Sequence, residues 1–106
     1  MKASQSKAAL PLTVKRALKK LGGDIQVARK RRRLTMGTVA ERAFVSRNTL
    51  TRVERGDPGV SFGIYATILF VLGLADRLGD LADPLTDGVG LSLESERLPQ
   101  RARDSR

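Results

Sequence analysis

The sequence has no cysteine and no histidine. Their absence removes disulfides, thiolate nucleophiles, imidazole bases and the usual zinc ligand sets in one step, and most small-enzyme chemistry goes with them. No GxxxxGKS/T phosphate loop is present, and the acidic side chains form no obvious catalytic pair. An enzyme is therefore not expected, nor a metal or other cofactor, and binding is the default. No apolar run approaches the roughly 20 residues that a membrane helix needs. The basic first residues are not followed by the continuous apolar stretch of a signal peptide. A cytoplasmic protein without a membrane partner is expected.

What the chain has in excess is positive charge. It carries 20 Lys and Arg against 11 Asp and Glu in 106 residues, a formal net charge of +9. Apolar residues make up 41% and the mean hydropathy is −0.24, which lies in the globular range and implies one small folded domain with tails. The excess is confined to one end. Residues 1–33 hold 11 basic residues and the single acid Asp24, residues 34–73 hold four Arg against Glu41, Glu54 and Asp57, and residues 74–106 hold five Arg against seven acids. This imbalance points to a polyanion near the N-terminal half, nucleic acid before an anionic membrane surface, although a charge run also serves as an ordinary solvated helix face.

Apolar spacing predicts an all-α chain. Residues 1–11 are expected to form a disordered basic N-terminus. From Leu12 onward, Val14, Leu18, Leu21, Ile25 and Ala28 step by four and three, as one stripe of a long helix whose surface carries Lys15, Arg16, Lys19, Lys20, Lys30 and Arg31. Gly22 and Gly23, each costing about 1 kcal/mol relative to Ala, are expected to kink or break it, with Asp24 near the start of the second piece. Thr35 is the N-cap of a short second helix with Val39, Ala40 and Ala43 inward, and Ser46 caps a third with Leu50 and Val53 inward, stopped by Gly56.

Asp57-Pro58-Gly59 reads as a turn, after which Ser61 caps a fourth helix with Ile64, Ile68, Leu69 and Leu72 inward, closed by Gly73. A fifth helix is expected from about Ala75 to Ala82 with Leu78, Leu81 and Ala82 inward, so that residues 12–83 hold the folded part. Residues 84–106 are expected to be a C-terminal arm for dimer or partner contact. Within it Val89-Gly90-Leu91-Ser92-Leu93 alternates apolar with small residues, as a short strand or an arm would, and the residues from Arg97 onward are expected to be mobile alone.

Two short helices joined by a tight turn, the second opening on polar side chains, have the spacing of a helix-turn-helix. Ala40 is small where the helices would cross, and Arg47, Asn48, Thr51 and Arg52 are left on the outer face. Arg and Asn are the side chains that read guanine and adenine by bidentate hydrogen bonds in the major groove.

The stretch LGGDIQVARKRRRLTMGTVAERAFVSRNTLTRVERGDPGVS resembles the lambda-repressor-like helix-turn-helix family, also called XRE. The shared elements are R-x-x-x-x-L-T from Arg29, V-A-E-R-A from Val39 and V-S-x-x-T-L-x-R-x-E-x-G from Val45, and the likeness covers roughly Leu21 to Asp83. The segment from Gly56 to Asp83, together with GLSLESERLPQRAR, is similar to antitoxins of the HipB type, which neutralise HipA-like kinase toxins. Two positions depart from the pattern. Met36 stands where the family has Gln, followed by the helix-weakening Gly37, and Phe44 stands where the turn usually has Gly. A bulky residue in that turn implies about 1–2 kcal/mol of strain or a different turn shape.

The resemblance implies a five-helix lambda-repressor-like fold and a sequence-specific repressor that binds double-stranded operator DNA, as a homodimer on an inverted repeat. It implies base contacts from Arg47, Asn48 and Arg52, and phosphate contacts from Thr35, Thr38, Ser46, Thr49, Thr51, Lys30 and Arg31. It also implies a structural ion pair between Arg29 and Glu41. The HipB likeness implies an antitoxin and autoregulator with a HipA-like kinase toxin as partner. A stand-alone repressor of a phage or mobile element, or an adaptor that uses the fold to hold another protein, stay open as alternatives.

Overall fold

Four α-helices follow one another up to Ala75 in the computed structural model, which describes residues 9–104: α1, Leu12–Arg31; α2, Met36–Arg42; α3, Arg47–Glu54; and α4, Phe62–Val71. α1 packs on α3, and α2 packs on both α3 and α4. Ile25, Val39, Leu50, Val53 and Ile68 are the largest fully buried side chains, one or two from each helix. The sequence-predicted inward positions of α2 and α3 are all buried. The chain divides into two compact units after Ala75. The second holds most of a 3-10 helix, Ala75–Asp80, and then α5, Gly88–Asp104. The described residues are all-α, with no strand.

Local chemistry starts α2, α3 and α4 at the caps that the sequence marks, and stops α3 and α4 at its glycines. Thr35, Ser46 and Ser61 have extended backbones, and each side-chain oxygen accepts the N–H three residues on. At each C-terminus two backbone N–H groups fold back on the last turn. Leu34 and Arg33 donate to Arg29 and Lys30 oxygens, Val45 and Phe44 to Ala40 and Glu41, Asp57 and Gly56 to Arg52 and Val53, and Leu74 and Gly73 to Leu69 and Phe70. This is the Schellman arrangement, which needs one residue at positive φ. Gly56 and Gly73 supply it without strain, at φ 74° and 78°.

Arg33 and Phe44 adopt the same backbone at φ 55° and 58°. Phe44 thus keeps the turn shape that glycine would give, and the residue is 94% exposed. An L-residue in this region is strained by about 1–2 kcal/mol, and an exposed ring offsets none of it by burial. Phe44→Gly is therefore expected to raise unfolding stability by about 1 kcal/mol in a thermal melt. A loss of stability would show the ring packs on something.

Four expectations are corrected. The expected kink or break at Gly22-Gly23 is replaced by one helix, Leu12–Arg31. Gly22 is buried in it, and a Cβ there would collide with the Val53 carbonyl oxygen and lie 2.6 Å from the Gly56 nitrogen. The glycine lets α1 meet the end of α3 backbone to backbone, and that packing outweighs its poor helix propensity. The Lys20–Asp24 pair at 2.7 Å spans the two glycines on the solvent side, where its exposure leaves it worth a few tenths of a kcal/mol.

The expected Arg29–Glu41 pair does not form. Arg29 donates from Nε to Glu54 Oε2 at 2.7 Å, from Nη2 to Glu54 Oε1 at 3.1 Å, and from Nη1 to the Leu34 carbonyl at 3.2 Å. At about 100° per residue, Glu41 points about 150° away from the mean direction of Val39, Ala40 and Ala43, whereas Glu54 lies only about 70° from that of Leu50 and Val53. Glu41 is exposed accordingly, and Glu54 meets α1. The hydrogen bond from Arg29 to Glu54 raises the already high pKa of the guanidinium, against burial, which lowers it.

The fifth helix is a 3-10 segment with no buried residue, and Leu81 beyond it is 72% exposed. Six residues that include Gly79 and two Asp are too few and too poor in propensity to sustain an α-helix without a packed face. The short strand expected at 89–93 is instead the start of α5, whose backbone is helical from Gly88 to Asp104. The Asp87 carboxylate accepts the Gly90 N–H at 3.0 Å and its carbonyl accepts the Leu91 N–H at 2.9 Å, which opens the helix. Apolar residues alternating with Gly and Ser satisfy a period of two, but a strand also needs a partner to bond to. The expectation of a disordered N-terminus falls on residues 1–8, outside the described residues, and on residues 9–11, which lead into α1.

Candidate nucleic-acid interface

The two N-termini of α2 and α3 are built alike. Thr35 Oγ1 accepts the Thr38 N–H at 3.0 Å and donates to Thr38 Oγ1 at 2.9 Å. Ser46 Oγ accepts the Thr49 N–H and donates to Thr49 Oγ1, both at 3.0 Å. In each pair one hydroxyl hydrogen joins the two oxygens, which leaves the other hydroxyl hydrogen for an outside acceptor. Neither helix has an acidic residue in its first turn to offset its positive end. Exposed Lys30 and Arg31 end α1 just before the first of these caps, and Arg32 Nη1 is bound back on the Ala28 carbonyl at 2.9 Å.

Leu50 and Val53 fix the rotation of α3 by being buried, and every other side chain takes its place from them. Arg47 and Asn48 are exposed at its start, with Asn48 almost opposite the buried stripe. Among the described residues Arg47 makes no ion pair, and it lies over the first turn of α2, since a Cβ on Gly37 would come 2.5 Å from its Nη2. Thr51 is half-buried, beside Gln26, Met36, Glu54 and Arg55 at the rim of a small depression.

Arg52 is placed differently from Arg47. Its Nε donates to Asp57 Oδ2 at 2.7 Å, and the other carboxylate oxygen accepts the Gly59 N–H at 2.7 Å. The Tyr65 hydroxyl donates to the Asp57 carbonyl at 2.8 Å. Burial, and then the Asp57 charge, push the phenol above its ordinary pKa, so it stays a donor. Arg52 therefore fixes the loop that joins α3 to α4, and a base contact would have to share its guanidinium with Asp57.

Sequence reasoning overlooked Arg55. It is exposed, seven residues after Asn48 and thus two turns along the same face, and the helical repeat alone would have found it. The structure brings Arg47, Asn48, Thr51 and Arg55 to the outer side of α3, with the hydroxyl-capped α2 next to it. Among the described residues no helix is long and apolar enough to cross a membrane.

A packed helix pair with a tight turn, whose second helix shows polar side chains outward, is the local geometry of a helix-turn-helix. No curated protein and no solved structure gives a significant match to the chain. A family model described as a helix-turn-helix domain matches residues 20–83, from the second half of α1 past the 3-10 helix. That match covers more than half of the sequence, and with the α2–turn–α3 geometry it establishes that the chain belongs to the helix-turn-helix domain family.

Proposed function

We propose that the protein is a DNA-binding transcriptional repressor that reads its operator with Arg47 and Asn48 at the start of α3. The observation that carries this reading is the exposure of both side chains on a helix whose rotation is fixed by buried Leu50 and Val53, where neither belongs to the core. Thr35, Thr38, Ser46, Thr49 and Thr51, with Lys30 and Arg31, would meet phosphates, and Arg55 extends the basic face. One eight-residue helix reads too few bases for specificity, so the reading includes a homodimer on an inverted repeat, with half-sites about one helical turn apart. The finer reading is the antitoxin and autoregulator of a HipA-like kinase toxin. It rests on the likeness of the Gly56–Asp83 and GLSLESERLPQRAR segments to HipB-type antitoxins, and a kinase-like reading frame beside this gene would support it.

The test is a set of binding titrations at several salt concentrations, on a duplex enriched from a random pool and on a scrambled duplex. Arg47→Ala or Asn48→Ala is expected to cost about 1–3 kcal/mol on the enriched duplex and little on the scrambled one. Lys30→Ala or Arg31→Ala is expected to weaken both alike and to lower the salt slope by about one. Equal losses on both duplexes for Arg47→Ala and Asn48→Ala would remove α3 as the reader.

A further inference from the structure

Gly37 stands in the first turn of a seven-residue helix, where alanine would be the better helix former. Its backbone does not ask for glycine, since positive φ among the glycines is confined to Gly56 and Gly73. No neighbouring backbone excludes a side chain there either. The three nearest atoms to a Cβ at this position all belong to one side chain: Arg47 Nη2 at 2.5 Å, and Arg47 Cζ and Nε at 3.2 Å. The guanidinium therefore lies over the bare Cα, and the glycine is what leaves it room.

From this we infer that Gly37 is a specificity-determining position that acts through Arg47, by seating the guanidinium so that its fork is offered to the groove in one orientation. The inference rests on the proposed reading of bases by Arg47 and adds the element that positions it. Arginine's value in bidentate recognition lies in its planar, pre-set donors, and a fixed plane loses less freedom on binding. A Cβ at 37 would not strain the fold, because the group it meets is the far end of a flexible side chain. It would displace the guanidinium and leave the positive charge in the neighbourhood. The seat thus concerns where Arg47 points, and hardly changes the electrostatic attraction to DNA.

Gly37→Ala, Arg47→Ala and the double variant of the full chain test this, each measured for thermal unfolding and for binding to the enriched and scrambled duplexes. Gly37→Ala is expected to raise the melting temperature while cutting the preference for the enriched duplex about tenfold, with binding to scrambled DNA unchanged. In the Arg47→Ala background the same change is expected to leave the preference where Arg47→Ala put it. Full preference in Gly37→Ala, alongside a lost preference in Arg47→Ala, would overturn the seat and leave the reading of bases by Arg47 standing. Full preference in Arg47→Ala would overturn both. A Gly37→Ala loss that persists undiminished without Arg47 would overturn the seat by showing another route.

Discussion

Glu54→Ala is expected to destabilise the first unit by about 3–5 kcal/mol. The Glu54 side chain is 5% exposed and that of Arg29 10%, so the pair lies where neither charge reaches water freely. Two hydrogen bonds join them, and a third ties Arg29 to the Leu34 carbonyl, so the pair clamps the end of α1 to the end of α3 and to the start of the loop into α2. Removing the carboxylate strands a buried guanidinium that cannot shed its proton at any working pH. Net stabilities of small domains are about 5–15 kcal/mol, so such a loss is a large share of the whole. Paired replacement by apolar residues of similar volume, Arg29→Met with Glu54→Leu, is expected to recover most of it, because the cost lies in the unpaired charge. Urea unfolding of the three variants measures this, and a Glu54→Ala loss below about 1 kcal/mol would contradict a buried clamp.

The second large effect separates two adjacent glycines that propensity treats alike. Gly23→Ala is expected to stabilise by about 1 kcal/mol, since nothing lies within 4 Å of a Cβ there and the helix gains a better former. Gly22→Ala is expected to destabilise by about 3 kcal/mol. Its Cβ would collide with the Val53 oxygen and lie 2.6 Å from the Gly56 nitrogen and 2.8 Å from the Glu54 oxygen, all backbone atoms with no rotamer to escape to. Gly56 faces α1 from the other side, where a Cβ would meet the Leu18 carbonyl oxygen, and its φ of 74° adds strain for any other residue. α1 and α3 would have to separate at the contact that also holds the Arg29–Glu54 pair. Thermal melts of the two variants decide it, and equal shifts of the same sign would contradict the close approach.

These two pairs of residues also mark how far the sequence could be read. Thr35, Ser46 and Ser61 as caps, Gly56 and Gly73 as stops, and Val39, Ala40, Ala43, Leu50 and Val53 as core were all legible, because each depends on spacing within one helix. The role of Gly22 was not legible, since it depends on which backbone faces it. The partner of Arg29 went to the wrong glutamate because a motif places residues along the chain and not around a helix. Helix rotation, which the buried stripes already fixed, would have turned Glu41 outward and Glu54 toward α1. α5 was misread because alternation over five residues satisfies a strand and a helix start equally, and the Asp87 cap was not weighed. At the candidate interface, Arg47 and Asn48 were legible as polar residues outside the core. The attachment of Arg52 to Asp57 was not, because it depends on the loop after α3 curling back.

The central claim, that the outer face of α3 reads DNA, is tested most directly by amide resonance mapping. An isotopically labelled chain is titrated with the enriched duplex and the shifted backbone amides are assigned. Shifts concentrated at Ser46–Arg52, at the Thr35–Thr38 cap and at Lys30–Arg31 are the predicted result, with residues 76–104 much less affected. Shifts confined to residues 76–104, with α3 unmoved at saturation, would contradict it.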